Sequence, residues 1–191
     1  HECGPAQSLI EHQVALLRVR NRKLERRLAE LIKTARDNES LHGRVHGLGL
    51  RLLECRDTDT LFDVLYHGLS RDYRVDAVTV RVRVNESQAA RLSRPEFVVE
   101  PAVAGTCPGL SLRSAACGVL SEEVRVGLFG WPVESTGSGV LIPLSVDGHK
   151  GVLALASRDA KRFHAQMGTT FLEQLSSLLS HALGHLLAEQ H

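Results

Sequence analysis

The first 55 residues carry a seven-residue apolar repeat that a single small domain cannot bury. Residues 8–55 contain no proline, and their glycines come late, at positions 43, 47 and 49. Because a and d repeats sustained over several heptads are typical of coiled coils, the segment predicts one long helix that packs against a partner. At 1.5 Å per residue such a helix would extend roughly 70 Å. The predicted a positions are Val14, Asn21, Leu28 and Ala35, and the d positions are Ile10, Leu17, Leu24 and Leu31.

Asn21 and the charges beside it favour a parallel homodimer. An asparagine at one a position costs stability but favours a parallel, in-register pair. Arg20 at position g would face Glu25 of a parallel partner, whereas an antiparallel arrangement would bring it near Arg27. The alternative is a helix folded back on its own domain. We therefore expect a second copy of the chain as the partner, with an interface formed by Ile10, Val14, Leu17, Asn21, Leu24, Leu28 and Leu31.

The heptad register changes in the second half of this helix. Beyond Asn38 the apolar positions shift to Leu41, Val45, Leu48 and Leu52. A shift of this kind is a stutter, at which the contact surface of a helix passes from one packing arrangement to another.

Composition argues against several classes of partner. The net charge is +1 and aromatic residues make up 4% of the chain, so we do not expect nucleic acid as a partner. No apolar run approaches the ~20 residues that span a bilayer, so no membrane is expected either. The four cysteines lie far apart, without a Cys-x-x-Cys pair, and no signal peptide is apparent. We expect reduced thiols in a cytoplasmic protein.

The rest of the chain predicts helices at both ends of an antiparallel sheet. Residues 75–84 alternate valines with polar residues, which is typical of a half-buried strand. A tight Asp147-Gly148 turn joins two apolar strands into a hairpin. The predicted elements are a helix at 57–73, a strand at 75–84, a short strand at 95–103, a helix at 121–130 that Ser121 caps, a hairpin at 138–158 and a closing helix at 163–190.

These elements indicate an α+β fold in two parts. We expect a dimerising coiled-coil helix over residues 1–40 and one domain over residues 41–191. The terminal helices would cover one face of the sheet, and the irregular segment 85–137 would cover the other.

Two blocks of the sequence resemble known families. The segments "TDTLFDVLYHGLSRDYRVDAVTVRV" and "GVLIPLSVDGHKGVLALASRDAKRF" resemble the opening and the later hairpin of a GAF domain. The chain is more closely similar to a bacterial GAF-like family, the domain of unknown function 484 family. That similarity is carried by "EHQVALLRVRNRKLERRLAEL" and by a later set of residues that includes Cys117, Gly118, Leu128, Phe129, Gly130, Ser157, Asp159, Arg162, Phe163, Met167, Gly168 and Thr169.

The resemblance implies a GAF-like fold preceded by a dimerising helix, but it implies no activity. GAF domains sense small molecules or pass signals between helices. The expected function is therefore non-enzymatic sensing, signalling or scaffolding, with an unidentified small molecule as ligand and no cofactor named. The ligand would lie between the sheet and its covering segment, near Arg81, Arg83, Arg113, Cys117, Phe129 and Trp131.

Four of these ligand contacts have a simpler alternative. Phe129 and Trp131 would fill the cavity as core side chains, and Arg81 and Arg83 would form a solvated strand face, although paired arginines also suit an anion. A pocket that is mostly apolar with a few polar groups is the usual ligand site.

The alternative function is a small thiol-based redox enzyme. GAF-type methionine sulfoxide reductases use cysteines near the pocket, here Cys107 or Cys117. Such a role needs an accessible thiol with a lowered pKa, which Arg113 would supply. A buried cysteine that acts as a small apolar residue is the simpler interpretation.

Two further patterns are weaker. The pairs His42/His46 and His181/His185 have helical spacing for zinc but no further ligand nearby, so we expect no metal. The basic segment 18–27 falls within the heptads, which favours a solvated coiled-coil flank over a phosphate-binding surface.

Overall fold

The computed structural model describes residues 5–73, 75–99, 110, 112–132, 136–164 and 169–188. For residues 5–10, 72 and 73 it describes the backbone alone. The chain divides into two compact units, residues 1–43 and residues 44–191. We call the second one the α/β unit.

Helix α1 spans Pro5–Leu53 and confirms the predicted long helix. Its last turns belong to the α/β unit, where Val45, Leu48 and Leu52 are fully buried. An added Cβ on Gly49 would lie 2.5 Å from Leu178 Cδ1, so this part of α1 packs closely on the last helix of the chain, which contains Leu178. The register shift therefore marks the point at which the apolar side chains of α1 begin to bury within the α/β unit.

Nine further elements follow α1 among the described residues. Asp57 caps helix α2, because its Oδ1 accepts the backbone N–H of Thr60 at 2.7 Å. Ser121 caps helix α4 as predicted, accepting the N–H of Val124 at 3.4 Å. In chain order the elements are α2 Thr58–Tyr73, β1 Ala77–Val84, α3 Glu86–Leu92, β2 Phe97–Val99, β3 Ala116–Val119, α4 Glu122–Phe129, β4 Ser138–Val146, β5 His149–Ser157 and α5 Thr170–Ala188.

The strands form one mixed sheet in the order β2-β1-β5-β4-β3. The predicted α+β class with flanking helices is confirmed, and three of the four strand pairs are antiparallel. The pair β1 and β2 runs parallel, with Val82 opposite Phe97. Helix α3, which the sequence analysis did not predict, supplies the crossover that a parallel pair requires. Its signal was a capping box, in which Asn85 and Gln88 bond each other's backbone N–H groups.

The predicted hairpin is confirmed. Asp147 and Gly148 both have positive φ, 47° and 78°, which is the backbone of a type I′ turn. This turn suits the right-handed twist of the flanking strands, so the Asp-Gly pair fixes the register in which Val146 faces His149.

Helix α4 covers one face of the hairpin. Val124 and Leu128 form a buried cluster with Ala154 and Ala156 of β5. Thr79 of β1 is buried on the same face, where its hydroxyl donates to the carbonyl of Leu128 at 3.0 Å. Strand β1 is therefore covered on both faces at this point, and the prediction of a half-buried strand is wrong here because α4 packs over it.

Helix α5 starts later than predicted, at Thr170. Upstream of it, the N–H of Phe163 donates to Ser138 Oγ at 3.0 Å, and this bond holds the chain after β5 against the start of β4. One face of α5 is apolar, and its side chains are buried apart from the partly exposed Leu178. Its buried members are Phe171, Leu175, Leu179, Ala182 and Leu186.

Candidate functional site

A cleft opens beside strand β4 where its pairing with β3 ends, while β5 continues on the other side. Strand β3 pairs with β4 only as far as Leu141, which faces Ala116. Beyond that point α5 lies along the strand, and Ser176 donates its hydroxyl to the carbonyl of Pro143 at 2.6 Å. The N–H of Ser145 donates to Ser180 Oγ at 3.2 Å. Two helix serines therefore satisfy the strand edge in place of another strand, which also protects that edge from pairing with other chains.

Pro143 fits this edge for a chemical reason. In an antiparallel strand the N–H and C=O of one residue point to the same side. The carbonyl of Pro143 points toward α5, so the missing N–H of proline removes no bond to β5. Proline in a sheet is confined to such edge positions.

The cleft has a volume of about 500 Å³, within the range of about 300–1,000 Å³ that is usual for small-molecule sites. Its floor is β4, one wall is the segment that leads into β3, and the other wall is one face of α5. The helix residues follow helical spacing, which places their side chains in one stripe. The lining residues are Arg113, Ser114, Ala115, Ile142, Pro143, Ser145, Glu173, Ser176, Ser177, Ser180 and His181.

Charged groups of both signs line this cleft. Arg113 and Glu173 are exposed on opposite walls, one before β3 and the other in the first turn of α5. Thr169 donates its hydroxyl to Glu173 Oε1 at 3.0 Å, and the other carboxylate oxygen accepts no hydrogen bond from the described residues. The walls can therefore offer a ligand both a cation and an anion.

His181 is held in one tautomer. Its Nδ1 lies 2.7 Å from the carbonyl of Ser177, and a carbonyl only accepts hydrogen bonds, so Nδ1 carries the proton. In the neutral ring, Nε2 is then an acceptor. The hydroxyl of Ser177 and this ring nitrogen are small polar groups within the cleft lining.

Of the six ligand contacts predicted from the sequence, only Arg113 lines this cleft. Phe129 and Trp131 pack together, with ring centroids 5.6 Å apart, against the buried cluster under α4. A Cβ added to Gly137 would lie 2.8 Å from the Trp131 ring, and the guanidinium of Arg158 lies 6.0 Å from the centre of that ring. The two aromatic side chains therefore occupy the space between α4 and the sheet.

Arg81 and Arg83 lie on β1 and are half-buried. Arg81 donates from Nη1 to the carbonyl of Val80 at 3.0 Å. Nearby, Tyr66 donates its hydroxyl to the buried carboxylate of Glu96 at 2.8 Å. Burial of the phenol, together with this acceptor and its charge, raises the pKa of Tyr66, while the charge of Arg81 opposes the shift. Arg81 thus contributes to a polar network at the β2 side of the sheet, away from the cleft.

Cys117 lies on β3 opposite Val140. It is a free thiol, partly buried, and that burial raises its pKa above the ordinary value. A thiolate nucleophile needs the opposite shift. Cys107, the other cysteine considered for a redox role, lies outside the described residues.

The predicted interface residues on α1 are exposed wherever their side chains are described. Leu17, Leu24 and Leu31 have exposed fractions of 61%, 60% and 66%. Val14 and Leu28 are exposed as well, as is Asn21. The side chain of Ile10 lies outside the described part of the chain.

The two histidine pairs lie on helix surfaces, where all four side chains are exposed. Across the residues that the structure describes, no three His, Cys, Asp or Glu side chains are grouped to hold a metal ion. Likewise, none of the described helices has the length and apolarity needed to span a bilayer.

Three residues of the late part of the resemblance, Ser157, Asp159 and Phe163, take part in a hydrogen-bonded turn after β5. Asp76 accepts the hydroxyl of Ser157 at 2.9 Å and the N–H of Arg158 at 2.8 Å. These two bonds lower the pKa of the Asp76 carboxyl. Ser138 donates its hydroxyl to the carbonyl of Asp159 at 2.6 Å. Together these bonds hold the chain after β5 against the starts of β1 and β4.

The sequence analysis missed the α5 side of the cleft. The signal was the spacing of Glu173, Ser176, Ser177, Ser180 and His181, which places small hydroxyls and two ionisable groups on one helical face. That stripe alone does not reveal its neighbour, because residues 113–115 reach it only through the sheet.

The fold and the cleft define a class of protein: a mixed α/β unit with a cleft of mixed charged and apolar lining at its sheet edge, preceded in the chain by a long amphipathic helix. The chain belongs to DUF484, a family of proteins of unknown function, whose model matches residues 1–187. A search of curated proteins found no match to this sequence.

Proposed function

We propose that this protein is a non-enzymatic, GAF-like sensing module that acts as a parallel homodimer. In this proposal α1 joins two copies, and each α/β unit offers its cleft to a small molecule. The mixed sheet with its apolar hairpin and closing helix supports the GAF-like assignment. The raised pKa of the Cys117 thiol favours a binding role over thiol chemistry. The free thiols of Cys55 and Cys117 support a cytoplasmic location.

The observation that carries the dimer is the exposed leucine stripe of α1. Leu17, Leu24 and Leu31 recur every seven residues, and each exposes 60% or more of its surface in the single chain. Contiguous exposed apolar surface of this kind marks an interaction site. A second α1 offers a matching stripe, because identical helices present the same a and d positions to each other.

The polar and charged residues beside the stripe support the parallel orientation. Asn21 at an a position would meet Asn21 of the partner subunit, where the two amides can bond each other. Arg20 and Glu25 occupy g and e positions that face each other between parallel chains. The same pattern would place two arginines together between antiparallel chains.

Disulfide trapping tests this arrangement directly. In a parallel, in-register pair, a cysteine that replaces Leu17 lies beside the same cysteine of the other chain, so mild oxidation should give a peptide linked from 17 to 17. Val19 is the matched control, since it has a similar exposed fraction of 63% but lies on the outer face of the predicted pair. Equal yields from Leu17→Cys and Val19→Cys, or no linked peptide from either, would contradict the proposal.

A further inference from the structure

We propose that the cleft beside α5 binds a small zwitterion, a molecule that carries one amine and one carboxylate. The inference deepens the proposed sensing function and depends on it for its biological role. The binding itself involves only residues 113–181 of one chain, so it can be measured whether or not α1 dimerises.

The pairing of Arg113 with Glu173 carries the inference. Both side chains line the cleft. Among the described residues, Arg113 makes no ion pair or hydrogen bond, and the carboxylate of Glu173 accepts only the hydroxyl of Thr169. A guanidinium is a strong bidentate partner for a carboxylate, and a carboxylate attracts an ammonium group as a point charge.

The same two charges select against simpler ligands. A plain anion at Arg113 would share the cleft with the negative charge of Glu173, and a plain cation at Glu173 would share it with Arg113. Unlike charges attract and like charges repel more strongly in a partly enclosed site than in bulk water. A molecule that is neutral in total but carries both charges satisfies the two walls at once.

The rest of the lining fits the body of such a molecule. Ile142, Pro143 and Ala115 offer apolar surface to a short carbon chain. The Ser177 hydroxyl and Nε2 of His181 can accept hydrogen bonds from an amine, because the Nδ1 proton of the ring is already committed to a backbone carbonyl. By contrast, Ser176 and Ser180 are occupied by the edge of β4.

Isothermal titration calorimetry of the full chain tests the inference with a ladder of amino acids. Glycine, β-alanine, 4-aminobutyrate and 5-aminopentanoate separate the two charges by a growing number of methylenes, and the common L-amino acids extend the series. Binding by at least one of them is expected. Butyrate and butylamine, each with one of the two charges, should bind at least about tenfold more weakly than that zwitterion.

The variants Arg113→Gln and Glu173→Gln each remove one charge from an exposed side chain. Glu173→Gln keeps the shape of the side chain, and Arg113→Gln shortens it but keeps a polar end. We expect either change to weaken the best zwitterion by about 10- to 100-fold. The matched control is Arg158→Gln, which removes an exposed arginine outside the cleft and should leave affinity unchanged. Far-ultraviolet circular dichroism establishes that each variant is folded.

Three outcomes would overturn the inference: no zwitterion binds to the wild-type chain, butyrate or butylamine binds as tightly as the best zwitterion, or the control variant loses as much affinity as the two cleft variants. A Leu24→Glu chain separates this inference from the dimer. That variant is expected to be monomeric, and retained zwitterion binding in it supports the cleft independently of the dimer. A wild-type chain that is monomeric but binds a zwitterion would contradict the proposed function alone, whereas a dimeric wild-type chain that binds none would overturn this inference alone.

Discussion

Leu24→Ala should weaken the association of two chains while it leaves the helix intact. Leu24 occupies a predicted d position, and its exposed fraction in the single chain is 60%. Alanine and leucine both favour helix strongly. Any effect of the substitution must therefore come from the surface that leucine buries against a partner.

The magnitude follows from the exposed fraction. Burying a whole leucine side chain contributes about 1.5–3 kcal/mol, so burying the exposed part of Leu24 contributes about 1–2 kcal/mol in each chain. A symmetric pair loses this contribution twice, or about 2–4 kcal/mol. Since 1.4 kcal/mol corresponds to a factor of ten, the dimer dissociation constant should rise by roughly 30- to 700-fold.

Leu16→Ala is the matched control. Leu16 is the same residue type with a similar exposed fraction of 56%, but the register places it on the outer face of the pair. Sedimentation equilibrium over a dilution series gives the two dissociation constants. A Leu16→Ala effect as large as that of Leu24→Ala would refute the register, and no effect of Leu24→Ala would refute the interface.

Four further variants and one measurement of thiol reactivity test other parts of the account. Asn21→Leu should raise the melting temperature and broaden the range of oligomers seen by native mass spectrometry, because the buried polar pair specifies the register at a cost in stability. Gly47→Ala should add about 1 kcal/mol to the free energy of unfolding through helix propensity, since its Cβ would meet nothing within 4 Å. Gly139→Ala should instead lower the free energy of unfolding, because its Cβ would lie 2.6 Å from a backbone oxygen. Urea melts of both variants give the two signs. Asp76→Asn should cost about 1 kcal/mol near neutral pH. The pKa of Asp76 is lowered in the folded chain, so its contribution is present above about pH 4 and is lost as the pH falls through the lower native pKa; urea melts at acid pH should therefore show wild type and variant converging. The Cys117 thiol, whose pKa is raised, should react with a disulfide reagent at neutral pH more slowly in the folded chain than in urea. A faster reaction in the folded chain would favour the alternative function as a thiol-based redox enzyme.

Local chemistry explains which elements the sequence could predict. The Asp147-Gly148 turn, the Ser121 cap and the seven-residue repeat of α1 each depend on residues within a few positions of one another. Strand β3 was missed because its short segment around Cys117 acquires its structure from pairing with β4, about twenty residues later in the chain.

The candidate site was predictable on one wall only. Arg113 was predicted as a ligand contact in the covering segment, and it lines the cleft. Glu173 and Ser177, which line the opposite wall, lie some sixty residues later in the chain, and only the fold of the sheet brings them to the same cleft as Arg113. Phe129 and Trp131 show the converse, since an aromatic pair near a predicted pocket has the same sequence pattern whether it lines the cavity or fills it.

The mass of the wild-type chain in solution tests the central claim most directly. Light scattering coupled to size exclusion at micromolar concentration should report two copies of the 20.9 kDa chain, about 42 kDa, and Leu24→Glu should reduce the mass to that of one copy. A wild-type mass of one copy at that concentration would contradict the account, because the leucine stripe of α1 would then remain in water without a partner.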